Sequence, residues 1–185
     1  MKKSVHDISL HDHTCLIFSN QVEFFHCAIP FLREGIKKNE KCCLVVDNIT
    51  REDVIRNLKY LFKEQAFDLQ KMLPYITIEN TKNIYIPDNK FNIERTIDLY
   101  LSNVKKAITE EGYTGLRAFV ELSSTLEKYI DLEGFQIWEK YADQHFKDNK
   151  FLAVCAYNKK LFSDEYILKT INAHPIEIDI ITTRL

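Results

Sequence analysis

Glycine is scarce in this chain, with 4 in 185 residues. None lies between Cys15 and Pro30, and that interval also lacks lysine. The absence bears on the segment CLIFSNQVEFFHCAIPFLREG, which reads as strand, polar turn and helix. P-loop proteins cradle phosphate in that order of elements. The cradle needs glycines so that successive N–H groups can wrap the phosphates, a lysine for the terminal phosphates and a Ser or Thr for magnesium. The turn SNQ supplies none of these in place, and Glu23 repels an anion. ATP is not expected as a cofactor. The free N–H donors of a helix start still leave room for a neutral polar group or a small anion.

Other absences narrow the class further. Prolines also number 4, and no Pro/Gly/Ser-rich linker, low-complexity tract or internal repeat divides the chain. A single domain is expected. The net charge of -2 gives no basic excess, so direct nucleic-acid binding is not expected. No apolar run approaches the roughly 20 residues that cross a bilayer. The start, MKKSVHDISLHDH, has two lysines with no apolar segment behind them and is no secretory signal. A cytoplasmic protein without membrane contact is the expectation. The cysteines number 5: Cys15, Cys27, Cys42, Cys43 and Cys155. An odd count, an adjacent pair and the lack of any CxxC argue against a disulfide scaffold or a zinc ribbon. Reduced thiols packed as small hydrophobes are expected instead.

Apolar residues make up 45% of the chain, enough for a real core. Strand-like and helix-like segments alternate. TCLIF (14–18), CCLVVD (42–47), YITIEN (75–80), LRAFVEL (116–122), FLAVCAY (151–157) and IEIDII (176–181) read as strands. Helices are predicted over 21–37, after the N-cap Thr50, over 93–111 behind Asn92, over 126–147 with an interruption near Gly134, and from Asp164 to about 172. Pro30 inside the first helix is an objection, since it removes a donor. The stretch 81–91 reads as an irregular excursion. Continuous apolar strands separated by amphipathic helices imply a mainly parallel sheet covered on both faces. The expected fold is α/β: one three-layer α/β/α domain over residues 10–185, after an N-terminal extension at 1–9. Ligands in such sheets sit beyond the carboxyl ends of the strands.

Several residues carry chemistry. Glu121 ends the fourth strand, and either contacts a ligand or pairs with Arg117 or a lysine. His11, His13 and Cys15 alternate, so they point to the same side of a strand if it begins that early. With Cys155 and His174, His13 and Cys15 make a candidate zinc or haem set, although their spacing matches no compact metal motif. A Cys155–His13 nucleophile pair needs a proximity that sequence does not establish. Ser123, Ser124 and Thr125 follow a strand but have no identifiable base, and no G-x-S-x-G elbow occurs. Aromatic residues near strand ends, among them Phe18 and Tyr157, are expected to be core or pocket lining.

Ordered motifs run through the chain: Asp12-His13-Thr14-Cys15; Pro30-Phe31-Leu32 with Glu34-Gly35; Glu40 and Cys42; Gly112 with Gly115-Leu116-Arg117; Glu121-Leu122-Ser123; Cys155-Ala156-Tyr157; and His174-Pro175. In this order and spacing, over about residues 10–182, the chain resembles the MEDS domain, the methanogen/methylotroph DcmR sensory domain. A tryptophan that many members carry after the Glu-x-Ser strand is replaced here by Ser124-Thr125. The resemblance implies a fold similar to KaiC/RecA-like ATPases without the phosphate loop. It also implies a non-catalytic domain that senses small organic compounds such as hydrocarbon derivatives.

The function expected on this basis is small-molecule sensing in cytoplasmic signal transduction or transcription regulation. The ligand is expected near His13, Cys15, Phe18, Glu121, Cys155, Tyr157 and His174. With no output domain in view, the chain is expected to act through a signalling or transcription-regulator partner or through self-association, as a monomer or homodimer. Two alternatives stay open: a metal- or haem-dependent redox sensor or enzyme using the His/Cys set, and a RecA-like scaffold for protein contacts.

Overall fold

The computed structural model describes residues 1–47, 49–64, 72–122 and 128–183. The strands are β1 (Lys2–Lys3), β2 (His13–Phe18), β3 (Lys41–Val46), β4 (Ile76–Asn80), β5 (Leu116–Glu121), β6 (Phe151–Asn158) and β7 (Ile176–Ile178). The helices are α1 (Gln21–Lys37), α2 (Arg51–Glu64), α3 (Thr81–Tyr85), α4 (Ile93–Thr109), α5 (Leu132–Lys147) and α6 (Asp164–Ala173). All seven strands lie parallel in one sheet, in the order β1-β7-β2-β6-β5-β3-β4. The fold is a single-domain α/β structure of three layers.

Strand parity sorts the core. Leu16, Phe18, Leu44, Val46, Phe119, Leu152 and Val154 face α1 and α2, where Phe24, Phe25, Ile29, Val54 and Leu58 cover them. Cys15, Val45, Ala118, Val120, Ala153, Cys155 and Tyr157 face the opposite layer. That layer supplies Tyr85, Ile97, Tyr100, Phe135, Trp138, Ala142 and Phe146. Because successive side chains of a strand point to opposite faces, this split decides which candidate residues can meet.

Helix starts follow their caps. Asn20 accepts from the Glu23 N–H at 3.0 Å, and the Glu23 carboxylate accepts in return from the Ser19 N–H at 2.6 Å. This reciprocal arrangement is a variant of the capping box, with the return bond made to the residue before the cap. The turn that resembles a phosphate cradle is thus closed on the chain's own carboxylate. Thr50 and Asp53 form a similar box on α2, and Asn92 caps α4 as its sequence predicts. Ser163 caps α6. Pro30 sits inside α1, and the helix continues through it.

Three local readings change. The predicted break at Gly134 falls earlier, at Asp131, whose carboxylate accepts from the Gly134 N–H at 2.8 Å and starts α5. The excursion after β4 contains the short helix α3, capped by Asn80. The segment 1–9 joins the domain: Lys2 and Lys3 pair with β7, and Val5 and Ile8 are buried in the core. Ser123, Ser124 and Thr125 lie outside the described residues.

A second group of motif residues makes a buried knot. Arg117 pairs with Glu40 through its Nε and Nη2. Its Nη1 donates to the Phe31 carbonyl at 2.8 Å, and its guanidinium lies 4.8 Å from the centre of the Phe31 ring. Gly35 lets this happen. A Cβ there meets Arg117 Cδ at 2.5 Å and Cys42 Sγ at 2.6 Å. Arg117 is therefore the partner of Glu40, and of the alternatives open for Glu121 the pairing with Arg117 does not form.

Candidate functional site

The seven predicted ligand residues divide across the sheet. Phe18 lies on the α1 side, 5.4 Å from the Phe24 ring. Glu121 sits at the carboxyl end of β5 and faces the same side as Phe119. Its Oε2 accepts from the Asp47 N–H at 3.0 Å, and its Oε1 accepts from Gln21 Nε2 at 3.5 Å. Burial, with Asp47 nearby adding to it, raises its carboxyl to about 7. Glu121 thus ties the end of β3 to the start of α1.

The other five meet on the opposite face. Cys15 and Cys155 are register partners on adjacent strands. His13 and Tyr157 lie one step away from them on the same face, and His174 ends α6 just before β7. The sheet order β7-β2-β6 brings three distant stretches of sequence side by side. The cluster lies beneath α5 and α6. Its histidines sit at the start of β2 and before β7, so the expected position beyond the carboxyl ends of the strands does not hold for this group.

Glu139 of α5 stands at the centre, and sequence reading missed it. Its Oε2 is 3.0 Å from His174 Nε2 and 3.3 Å from His13 Nε2. Its Oε1 accepts from the Tyr157 hydroxyl. Cys155 Sγ is 3.5 Å from His13 Nε2, and the Cys15 and Cys155 thiols lie beside the His174 ring. A further carboxylate, Asp143, lies one helical turn along, with Oδ1 3.8 Å from His13 Nδ1. The signal was present in the sequence: residues 135, 138, 142 and 146 make the apolar stripe of α5, and an acid at 139 falls within it.

Charge is distributed unevenly in this buried group. Burial alone lowers the His174 pKa, yet the Glu139 carboxylate and the neighbouring Cys15 and Cys155 thiols raise it well above the usual value. Burial raises the Glu139 carboxyl, and His174 with His13 and Tyr157 brings it below its usual value. Burial and the His174 charge lower His13. The shifts thus favour a His174 cation paired with a Glu139 anion, beside a neutral His13. Burial pushes the Cys155 thiol up to about 12, so it is a poor nucleophile although the Cys155–His13 contact exists.

Two grooves open near this half of the sheet. One of about 410 Å³ lies between α5 and α6, lined by Gln136, Lys140, Asp143, Lys169, Asn172 and Ala173. Asp143, which faces His13, and Ala173, the residue before His174, line it, whereas His13, Glu139, Cys155 and His174 do not. A groove of about 460 Å³ near β3 and α4, lined in part by Cys43, Leu99 and Tyr100, includes no cluster residue.

The stretches of sequence that build this cluster fall within a match to a known family. Residues 12–175 match the family described as "MEDS: MEthanogen/methylotroph, DcmR Sensory domain". The chain belongs to the MEDS family. It is also similar to the "Transcriptional repressor DcmR" of Methylorubrum extorquens (strain DSM 6343 / CIP 106787 / DM4), with 26% identity over 171 residues. That alignment covers 91% of this chain and 60% of the repressor, so the chain spans about three-fifths of this relative's length. The family is described as a sensory domain, and the relative as a transcriptional repressor. Among the described residues, no helix is long and apolar enough to cross a membrane.

Proposed function

We propose that this MEDS domain is a non-catalytic cytoplasmic sensor of a small organic molecule, whose occupancy biases contact with a regulatory partner or a second copy. The observation that carries the reading is the position of the family's motif residues. Asp12-His13-Thr14-Cys15, Cys155-Ala156-Tyr157 and His174-Pro175 converge on Glu139 in one buried polar cluster, next to a groove of ligand size. The closed cluster and the raised Cys155 thiol favour recognition over turnover. The capping box at the first turn supports the expectation that ATP is not the effector.

The effector is placed in the α5–α6 groove, where it meets Asp143 and the end of α6. Binding must favour one arrangement of those helices, because equal affinity for two states shifts nothing. The test is native mass spectrometry of the chain purified gently from its native host. The expected result is a bound small organic mass that leaves on denaturation. It should be lost from Ala173→Trp, which fills the α5–α6 groove, and retained in Asn103→Trp, which fills the other. Retention in the Ala173 variant with loss in the Asn103 variant moves the effector to the groove near α4. An apo mass, with no shift in assembly when candidate one-carbon compounds are added, leaves the scaffold reading ahead.

A further inference from the structure

We propose that His13 Nε2, His174 Nε2, Glu139 Oε2 and Cys155 Sγ form a site for one divalent transition-metal ion of the zinc class. The inference goes beyond effector sensing and stands whichever groove the effector uses. One ligand atom from each of the four residues lies within 4.8 Å of those from the other three, and all four residues are buried. The measured separations are 3.0 Å for His174–Glu139, 3.3 Å for His13–Glu139 and 3.5 Å for His13–Cys155. Zinc bonds of about 2.0–2.3 Å place tetrahedral ligand atoms about 3.3–3.7 Å apart. Closing the widest pair by about an ångström completes that tetrahedron.

The orientation of the polar atoms separates this reading from a buried ion pair. Glu139 Oε2 and His174 Nε2 are within ion-pair distance, yet neither has a hydrogen-bond partner among the described residues. They are close without being aimed at each other, which is how ligands of a shared centre stand. Fully buried polar atoms are rarely left in that state.

The far sides of the ligands are already held. His174 Nδ1 bonds the Thr170 carbonyl at 2.8 Å. The ring nitrogen donates in that bond, and in the neutral tautomer this leaves the Nε2 lone pair free. Glu139 Oε1 takes the Tyr157 hydroxyl. His13 Nδ1 faces Asp143 Oδ1 at 3.8 Å, an ion-pair distance rather than a hydrogen bond. Carbonyl and carboxylate partners of this kind orient metal-binding histidines. The charges also close: a dication, one carboxylate and one thiolate sum to zero, whereas the metal-free group buries separated charges. Thiol and imidazole ligands bind a metal in their deprotonated forms, so affinity rises with pH. The α5–α6 groove, with Asp143 in its wall, is the entry path.

With four protein ligands the site is closed, which is the pattern of a structural centre. It clamps α5, β2, β6 and the approach to β7 together.

The experiment uses the full chain stripped with a chelator, then titrated with Co²⁺ both as folded protein and during refolding from urea. Expected are one equivalent bound, a thiolate-to-cobalt charge-transfer band, intense tetrahedral visible bands, and displacement of cobalt by Zn²⁺. Cys155→Ser should abolish the charge-transfer band. His13→Ala, His174→Ala and Glu139→Ala should each weaken binding by tenfold or more. Cys27→Ser, on the other face of the sheet, should leave the spectrum unchanged. Absence of bands in both titrations overturns the proposal, as does a band that survives Cys155→Ser. Where a variant fails to fold, His13→Gln provides a milder test of the same ligand. A metal-free chain that still carries a bound organic mass leaves the sensing reading intact, so the two can fail separately.

Discussion

His174 Nε2 and Glu139 Oε2 lie 3.0 Å apart with both side chains fully excluded from solvent. Each is the principal counter-charge of the other, and they come from elements that neither adjoin in sequence nor share a strand. In the metal-free chain, Glu139→Ala strands the His174 cation in the interior. Loss of one partner of a buried pair costs about 3–5 kcal/mol. Urea unfolding at neutral pH should show that loss, and Asp98→Ala, changing an exposed residue of α4, should not.

The Arg117–Glu40 knot offers a matched comparison. Arg117→Met removes the guanidinium from Glu40 and the Phe31 carbonyl, and about 3–5 kcal/mol of stability should go with it. Adding Glu40→Gln removes the stranded charge. The double variant is expected to be more stable than Arg117→Met alone. Equal stabilities of the two would show that the ion pair does not matter to the fold.

Gly35→Ala tests the same knot from the other side. Its new methyl meets Arg117 Cδ and Cys42 Sγ well inside contact distance. Overpacking of this kind costs about 1–3 kcal/mol. The melting temperature should fall, whereas Gly112→Ala should act through backbone strain alone, since a Cβ there meets nothing within 4 Å at φ 78°.

Glu121 should give stability a slope with pH. Its carboxyl moves from 4.5 to about 7 on folding, chiefly through burial. Between those values the folded chain holds a proton that the unfolded chain has lost. Stability from this group therefore falls as pH rises through that window. Glu121→Gln should flatten the slope and stabilise the chain by up to about 3 kcal/mol above pH 7. Chemical denaturation at pH 5 and pH 8 for both proteins measures it, and parallel slopes would contradict the assignment.

Much of the fold was legible because each central strand is buried on both faces and reads as an unbroken apolar run. Asn20, Thr50 and Asn92 marked helix starts through cap chemistry that is local. Lys2–Lys3 carried no such signal, since two lysines become a strand only because β7 presents a free edge. The site was half legible. Alternation correctly put His13 and Cys15 on one face, but the same rule applied to Leu16 and Phe18 sends Phe18 to the other. Which strands lie side by side is a property of the sheet order, and no residue pattern within β2, β6 or β7 states it. Glu139 was hidden for a different reason. An acid on an amphipathic helix reads as solvent-facing, and its burial shows only when 135, 138, 142 and 146 are taken as the inner stripe.

His174 is followed directly by Pro175, whose carbonyl accepts from the Met1 amino group at 3.2 Å, and then by β7, which carries β1. Proline leaves little slack in that joint. A pull on the imidazole is therefore delivered to the rim of the sheet within two residues, and the first strand of the chain rides on whatever the last one does.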